Sequence, residues 1–223
     1  MKFLSLITFV LMFLVAFNSN AAYKRYELNP KWPTDKSIHM QTITNPAAAG
    51  TADVLSANAG NSSAAAASVS SFVAQPDVPR NLVITPGGTT ADVAACDVVV
   101  TGTDFFGASL SETFSFSANA STATTGTKAF KTVSSVSFPA DCEDSPYGAT
   151  WSIGYGEKLG LNRCMDNAGD ILFSLLNGAK EGTAPTMAKN VSAVSGNTAD
   201  FNGTMNGSND FVLYFFHNYR CNP

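Results

Sequence analysis

Glu112-Thr113-Phe114-Ser115-Phe116-Ser117 places Phe114 and Phe116 on one side of an extended chain and Thr113, Ser115 and Ser117 on the other. Successive side chains of a strand point to opposite faces, so this stretch reads as a β-strand with one face buried and one in water. The reading extends outward in both directions. Arg80-Asn81-Leu82-Val83-Ile84-Thr85, Asp97-Val98-Val99-Val100-Thr101-Gly102 and Phe130-Lys131-Thr132-Val133-Ser134-Ser135-Val136-Ser137-Phe138 are rich in β-branched or aromatic residues. Turn signals at Pro76-Asp77-Val78-Pro79, Pro86-Gly87-Gly88 and Thr125-Gly126-Thr127 bracket them. Further strands are expected at Ala149-Thr150-Trp151-Ser152-Ile153-Gly154-Tyr155, at Asp170-Ile171-Leu172-Phe173-Ser174-Leu175-Leu176 before the hairpin signal Asn177-Gly178, and at Asp210-Phe211-Val212-Leu213-Tyr214-Phe215-Phe216. Short strands separated by turns point to an all-β chain: a sandwich-like domain of antiparallel strands over residues 45–161 and a smaller β-rich C-terminal portion over residues 162–223.

Composition narrows the function classes. The 223 residues include 30 Ala, 23 Ser and 21 Thr, so about a third are small and uncharged. Only 13% are charged, against about 25% in an ordinary soluble protein. The net charge is −4 with no cluster of Lys or Arg, which leaves no electrostatic footprint for nucleic acid or an anionic membrane. Sixteen Phe and a hydrophobic fraction of 45% supply ample apolar surface for a core.

The chain opens with Met1 and Lys2 and a mostly apolar run from Phe3 to Phe17, followed by Asn18-Ser19-Asn20-Ala21. This reads as a secretory signal peptide or unprocessed hydrophobic leader over residues 1–21. At about 15 residues the run is shorter than the roughly 20 needed to cross a bilayer, so no stable membrane span is expected. Residues 22–44 read as an irregular leader. Residues 44–71, rich in Ala, Ser, Asn and Gly, read as an extended or loosely packed arm with only Val54, Leu55 and Val69 to anchor it.

Cys96, Cys142, Cys164 and Cys221 are an even set able to close two disulfides in an oxidising compartment, with three pairings possible. No Cys-x-x-Cys occurs, and His39 and His217, the only histidines, are far apart in sequence, so no zinc site is expected. Scarcity of histidine, and the absence of a Gly-x-Ser-x-Gly elbow or a phosphate-binding Gly-rich loop, leave no catalytic residues to assign and no cofactor to expect. A hydrolase would need His217 beside a nucleophile in a pocket. Asp141-Cys142-Glu143-Asp144 offers carboxylates to Ca²⁺ but reads first as a solvated turn. Asn-x-Ser/Thr triplets begin at Asn61, Asn119, Asn190, Asn202 and Asn206, a number that a chain so rich in these residues reaches by chance. The aromatic stretch from Phe211 to Tyr219 reads as a core strand that, left at an edge, would invite pairing with another subunit.

Several short motifs occur in a fixed order: Gln75-Pro76-Asp77-Val78-Pro79-Arg80-Asn81, Val99-Val100-Thr101-Gly102-Thr103-Asp104 followed by Ser111-Glu112-Thr113, Lys128-Ala129-Phe130-Lys131-Thr132-Val133, and Gly156-Glu157-Lys158-Leu159-Gly160-Leu161. Together they resemble β-rich structural proteins of tailed bacteriophages, over about residues 40–216. The resemblance implies a virion protein, capsid-decorating or head-auxiliary, that acts by protein–protein contacts with the capsid or with copies of itself and has no active site. A signal peptide departs from that pattern, and translation from Met40 would remove it. The rival expectation is a secreted, disulfide-stapled adhesion or carbohydrate-binding β-module of the cell envelope.

Overall fold

A computed structural model of the chain describes residues 37–58 and 66–217. Within them the strands are β1 (Ser37–Ile43), β2 (Leu55–Asn58), β3 (Ala67–Val69), β4 (Arg80–Gly88), β5 (Cys96–Thr103), β6 (Ser109–Phe116), β7 (Thr124–Thr125), β8 (Thr132–Phe138), β9 (Ala149–Gly160), β10 (Ile171–Leu176), β11 (Ala179–Lys180), β12 (Thr186–Ala188), β13 (Thr198–Asp200) and β14 (Phe211–His217). The fold is all-β. Every strand pairing is antiparallel, in three sheets: β3-β8-β5-β6, β12-β13-β9-β4-β7 with β2 added on β9, and β1-β14-β10-β11.

The first two sheets pack face to face as a sandwich. The alternation read at Phe114 and Phe116 is realised along the whole of β6, which buries every second residue. Those side chains meet Val98 and Val100 of β5, Val136 and Phe138 of β8, Leu82 and Ile84 of β4, and Trp151 and Ile153 of β9 in one apolar core. Trp151 bridges the layers, its ring 4.9 Å from that of Phe116 and 5.7 Å from that of Phe138. Full burial of each such side chain contributes about 1.5–3 kcal/mol, the main source of stability in a chain with so few charges.

β9 runs on past Tyr155, where the sequence reading ended it, to Gly160. Its far end carries Leu159 into a second core with Ile43, Leu161, Met165, Phe211, Leu213 and Phe215. The third sheet lies over this second core. Asn177-Gly178 forms the expected hairpin turn between β10 and β11, with φ of 50° and 80° at its two residues.

Two stretches differ from expectation. Ser37–Ile43, at the end of the leader read as irregular, is a strand in seven-residue register with β14. Its pattern is inverted, with Ile38 and Met40 outward and Gln41 inward, which conceals it from a hydropathy reading. Gln41 is tolerated inside because its amide donates to Gly160 O at 3.0 Å and accepts from Asn162 N at 2.9 Å. Pro86-Gly87-Gly88 does not end its strand but continues β4. β7 pairs only with Val83 and Ile84, so Pro86 has a neighbour on one side alone and its missing N–H costs no ladder bond. Only at Gly88, with φ +63°, does the chain turn. The Ala/Ser-rich arm is anchored where the sequence placed its few apolar residues: Val54 and Leu55 are buried in the first core, and β2 and β3 each add to a sheet.

Candidate functional site

Residues of three of the motifs, Gln75–Asn81, Lys128–Val133 and Gly156–Leu161, meet in one place. Arg80, fully buried, donates from Nε and Nη2 to Gly156 O, from Nη1 to Ala47 O, and forms an ion pair with Asp77 at 3.1 Å. Its guanidinium lies over the Tyr155 ring, 5.1 Å from the centroid. Burial pushes the Tyr155 hydroxyl above its ordinary value, and the carboxylates of Asp77 and Asp53 add to the rise. Beside it Asn81 donates to Gly126 O and accepts from Lys158 N, both at 2.9 Å. Gln75 pairs with both N and O of Val133. These side chains act as substitute backbone, completing ladders where strands diverge, so Gln75, Arg80 and Asn81 serve the scaffold.

The acidic turn is built into the fold. Cys142 is bonded to Cys96, with 5.0 Å between Cα atoms, tying the start of β5 to the loop after β8. Glu143 is buried and accepts from Trp151 Nε1 at 3.3 Å; burial pushes its carboxyl above the ordinary range, the Trp151 bond opposes this, and Asp92 adds to it. Asp141 and Asp144 stay exposed. Among the described residues no group of three or more His, Cys, Asp or Glu side chains is gathered as a metal site. Cys164 is buried and disulfide-bonded, and Cys221 lies outside the described residues.

His39 and His217, distant in sequence, are brought together by the β1–β14 register, their ring centroids 5.5 Å apart. Burial lowers the His39 imidazole from its ordinary value. Asn162 opposes this, though neither His39 Nε2 nor Asn162 Oδ1 closes a hydrogen bond, and Arg163 and His217 reinforce the lowering. Their packing on the inner side of β1 gives them a structural place.

Of the five Asn-x-Ser/Thr sites, Asn61 lies outside the described residues and Asn119 is exposed with φ 58°. Asn190 and Asn206 accept from backbone N–H groups two and three residues on, and Asn202 donates to Thr183 O and Ala184 O. They build turns.

Two surfaces remain. On the third sheet, alternation and register place Ile38, Met40 and Thr42 of β1 outward beside Phe216, Tyr214 and Val212 of β14, and next to these Phe173 and Leu175 of β10. Ile38 is 59% and Met40 53% exposed, and the Phe173 and Tyr214 rings stack at 4.5 Å. Lys180 of β11, opposite Leu175, borders this set at the edge of the sheet. Exposed contiguous apolar surface is the feature that, when large, distinguishes contact sites from ordinary protein surface. The second surface is a groove of about 810 Å³ between the β5–β6 hairpin and residues 188–196, carrying Lys128 and Lys189. The first was within reach of a sequence reading through Phe211-Val212-Leu213-Tyr214-Phe215-Phe216, apolar on both faces. The second depends on two segments about 80 residues apart in the chain and had no local signal.

No helix among the described residues is long and apolar enough to cross a membrane. The chain matches no family model, no curated protein and no solved structure.

Proposed function

We propose that this chain is a non-catalytic structural protein of a tailed-phage virion, a capsid-decorating or head-auxiliary subunit. In this reading it assembles by packing the outer face of its third sheet against the same face of a second copy. The observation that carries the contact role is the exposure of Ile38 and Met40 on a largely apolar sheet face, with Lys180 at its far edge, backed by a packed core. Burying such a face removes apolar surface from water on both partners, the usual driving force of subunit association. The ordered motifs from Gln75 to Leu161 support the phage assignment. Mass spectrometry of purified particles tests it: the chain is expected in the virion at structural copy number, and recovery from the cell envelope alone contradicts it.

The Cys96–Cys142 bridge favours the second reading, a secreted adhesion or carbohydrate-binding module, because such bonds persist in oxidising compartments. The N-terminus of the native protein separates the two. A first residue at Ala22 supports export. A start at Met40 supports the virion reading and removes Ser37, Ile38 and His39 from β1, leaving Met40 to Ile43 paired with β14.

A further inference from the structure

We infer that the groove beside the outer edge of β6 receives an extended, acidic segment of a partner polypeptide as an added strand. The surface is distinct from the apolar face above, and this inference stands or falls apart from the virion reading.

The hairpin fixes which backbone groups face the groove. Asp104 N donates to Ala108 O at 2.9 Å, which makes Asp104 and Ala108 a hydrogen-bonded pair. Bonded and non-bonded pairs alternate along an antiparallel ladder. Thr103 with Ser109 and Thr101 with Ser111 are therefore non-bonded pairs, and the N–H and C=O groups of Ser109 and Ser111 point away from β5. An independent contact agrees: Ser111 O accepts from Lys128 Nζ at 2.6 Å, on the side away from β5. Among the described residues no strand pairs with β6 on that side. The Lys128 ammonium thus stands where the N–H of a neighbouring strand would be, the device by which sheet edges are blunted against indiscriminate pairing.

The opposite wall is preformed. Asn197 Nδ2 donates to Asn190 O and Ala193 O, and Ser195 O accepts from Ala129 N at 2.8 Å, so residues 190–196 are held to the body of the fold. The charge of the groove is positive. Lys128 and Lys189 line it, while the carboxylate of Asp104, its acidic member, accepts from Phe106 N and Ala108 N and is spent within the hairpin. The Glu112 carboxylate is buried beneath, accepting from Thr127 N, Thr127 Oγ1 and Lys128 N. An incoming strand would replace Lys128 Nζ on Ser111 O with its own N–H, and the released ammonium would pair with a carboxylate of that strand. Alternating donors and acceptors at strand spacing match a polypeptide backbone, whereas a sugar chain offers no such repeat.

The test uses the full chain and a capped, fluorescein-labelled hexapeptide alternating glutamate and valine. Saturable binding by anisotropy is expected, with shifts of the Ser109 and Ser111 amide resonances. N-methylation of alternate peptide amides, Lys128→Glu with Lys189→Glu, and Ser111→Pro are each expected to weaken binding by about tenfold or more. Because the Ser111 N–H lies outside the β5 ladder, the proline variant is expected to keep its circular dichroism spectrum; should it unfold, the N-methylated peptide carries the same test. Absence of saturable binding at about 1 mM peptide overturns the inference. So does equal affinity for the N-methylated peptide, or binding of an acidic oligosaccharide at this groove with the peptide inert.

Discussion

The first sheet turns Thr101, Thr103, Thr113, Ser115, Thr132 and Ser135 away from its core, whereas the third turns out Ile38, Met40, Phe173, Val212 and Tyr214. On the first, hydroxyls bond across strands, Thr101 to Ser135 and Thr103 to Thr132, each at 2.7 Å, and the face is complete in water. On the third, the outward set is mostly apolar, with Thr42 opposite Val212 and Lys180 at the edge as its polar neighbours. Both sheets obey the same two-residue period on their inner sides, so the fold is specified alike in both. They differ mainly in the residues that folding does not require to be apolar, and the proposed contact role rests on that difference.

The largest effects should come from inner positions, where the two sheets are equivalent. Phe215→Ala on the third sheet and Trp151→Ala in the first core are each expected to cost about 3–5 kcal/mol in denaturant unfolding. Met40→Ser, on the opposite face of the same β1–β14 pair, should stay within about 0.5 kcal/mol when unfolding is measured at concentrations where both chains are monomeric. A comparable cost at Met40 would mean that its side chain is part of the interior and would erase the distinction between faces.

Replacing Cys96 and Cys142 together by Ala opens a loop of sequence separation 46 and is expected to remove about 2–4 kcal/mol. Because the bridge ties only the first sheet's surroundings, association through the third should persist at temperatures where the double variant stays folded. Loss of both together would show that the two regions fold and act as one unit.

Acid should act on the third sheet. The folded His39 imidazole lies below its ordinary value, chiefly through burial. The unfolded chain therefore takes up the proton first, near pH 6.5. The associated stability is present above that value and is lost as pH falls from there through the lowered folded value. A His39→Phe variant should show a shallower fall in unfolding free energy over this window, and an unchanged slope would remove His39 from the account. The smallest expected effect is on the hydroxyl face, where Thr101→Val and Ser135→Val should couple by about 0.2–1 kcal/mol in a double-mutant cycle.

Much of the fold was legible because strand period and turn chemistry are local: Phe114 and Phe116, and the turn at Asn177-Gly178, stand where their neighbours' polarity placed them. β1 was not legible, because its inward residue is Gln41, whose burial depends on Gly160 and Asn162 far along the chain. Pro86 misled for a similar reason, since whether a proline ends a strand depends on how far β7 extends. The four cysteines were visible as a set, but the Cys96–Cys142 pairing required the β5–β8 geometry. The proposed contact face was half legible in the Phe211 to Phe216 run, whereas its neighbouring residues on β1 and the lysine-lined groove arise only once distant segments meet.

Light scattering of the full chain across concentration, beside the Ile38→Glu, Met40→Glu double variant, tests the contact role of the third sheet most directly. The native chain is expected to associate, and the variant to remain monomeric with an unchanged circular dichroism spectrum. A native chain that is monomeric throughout, or a variant that associates as strongly, would contradict it.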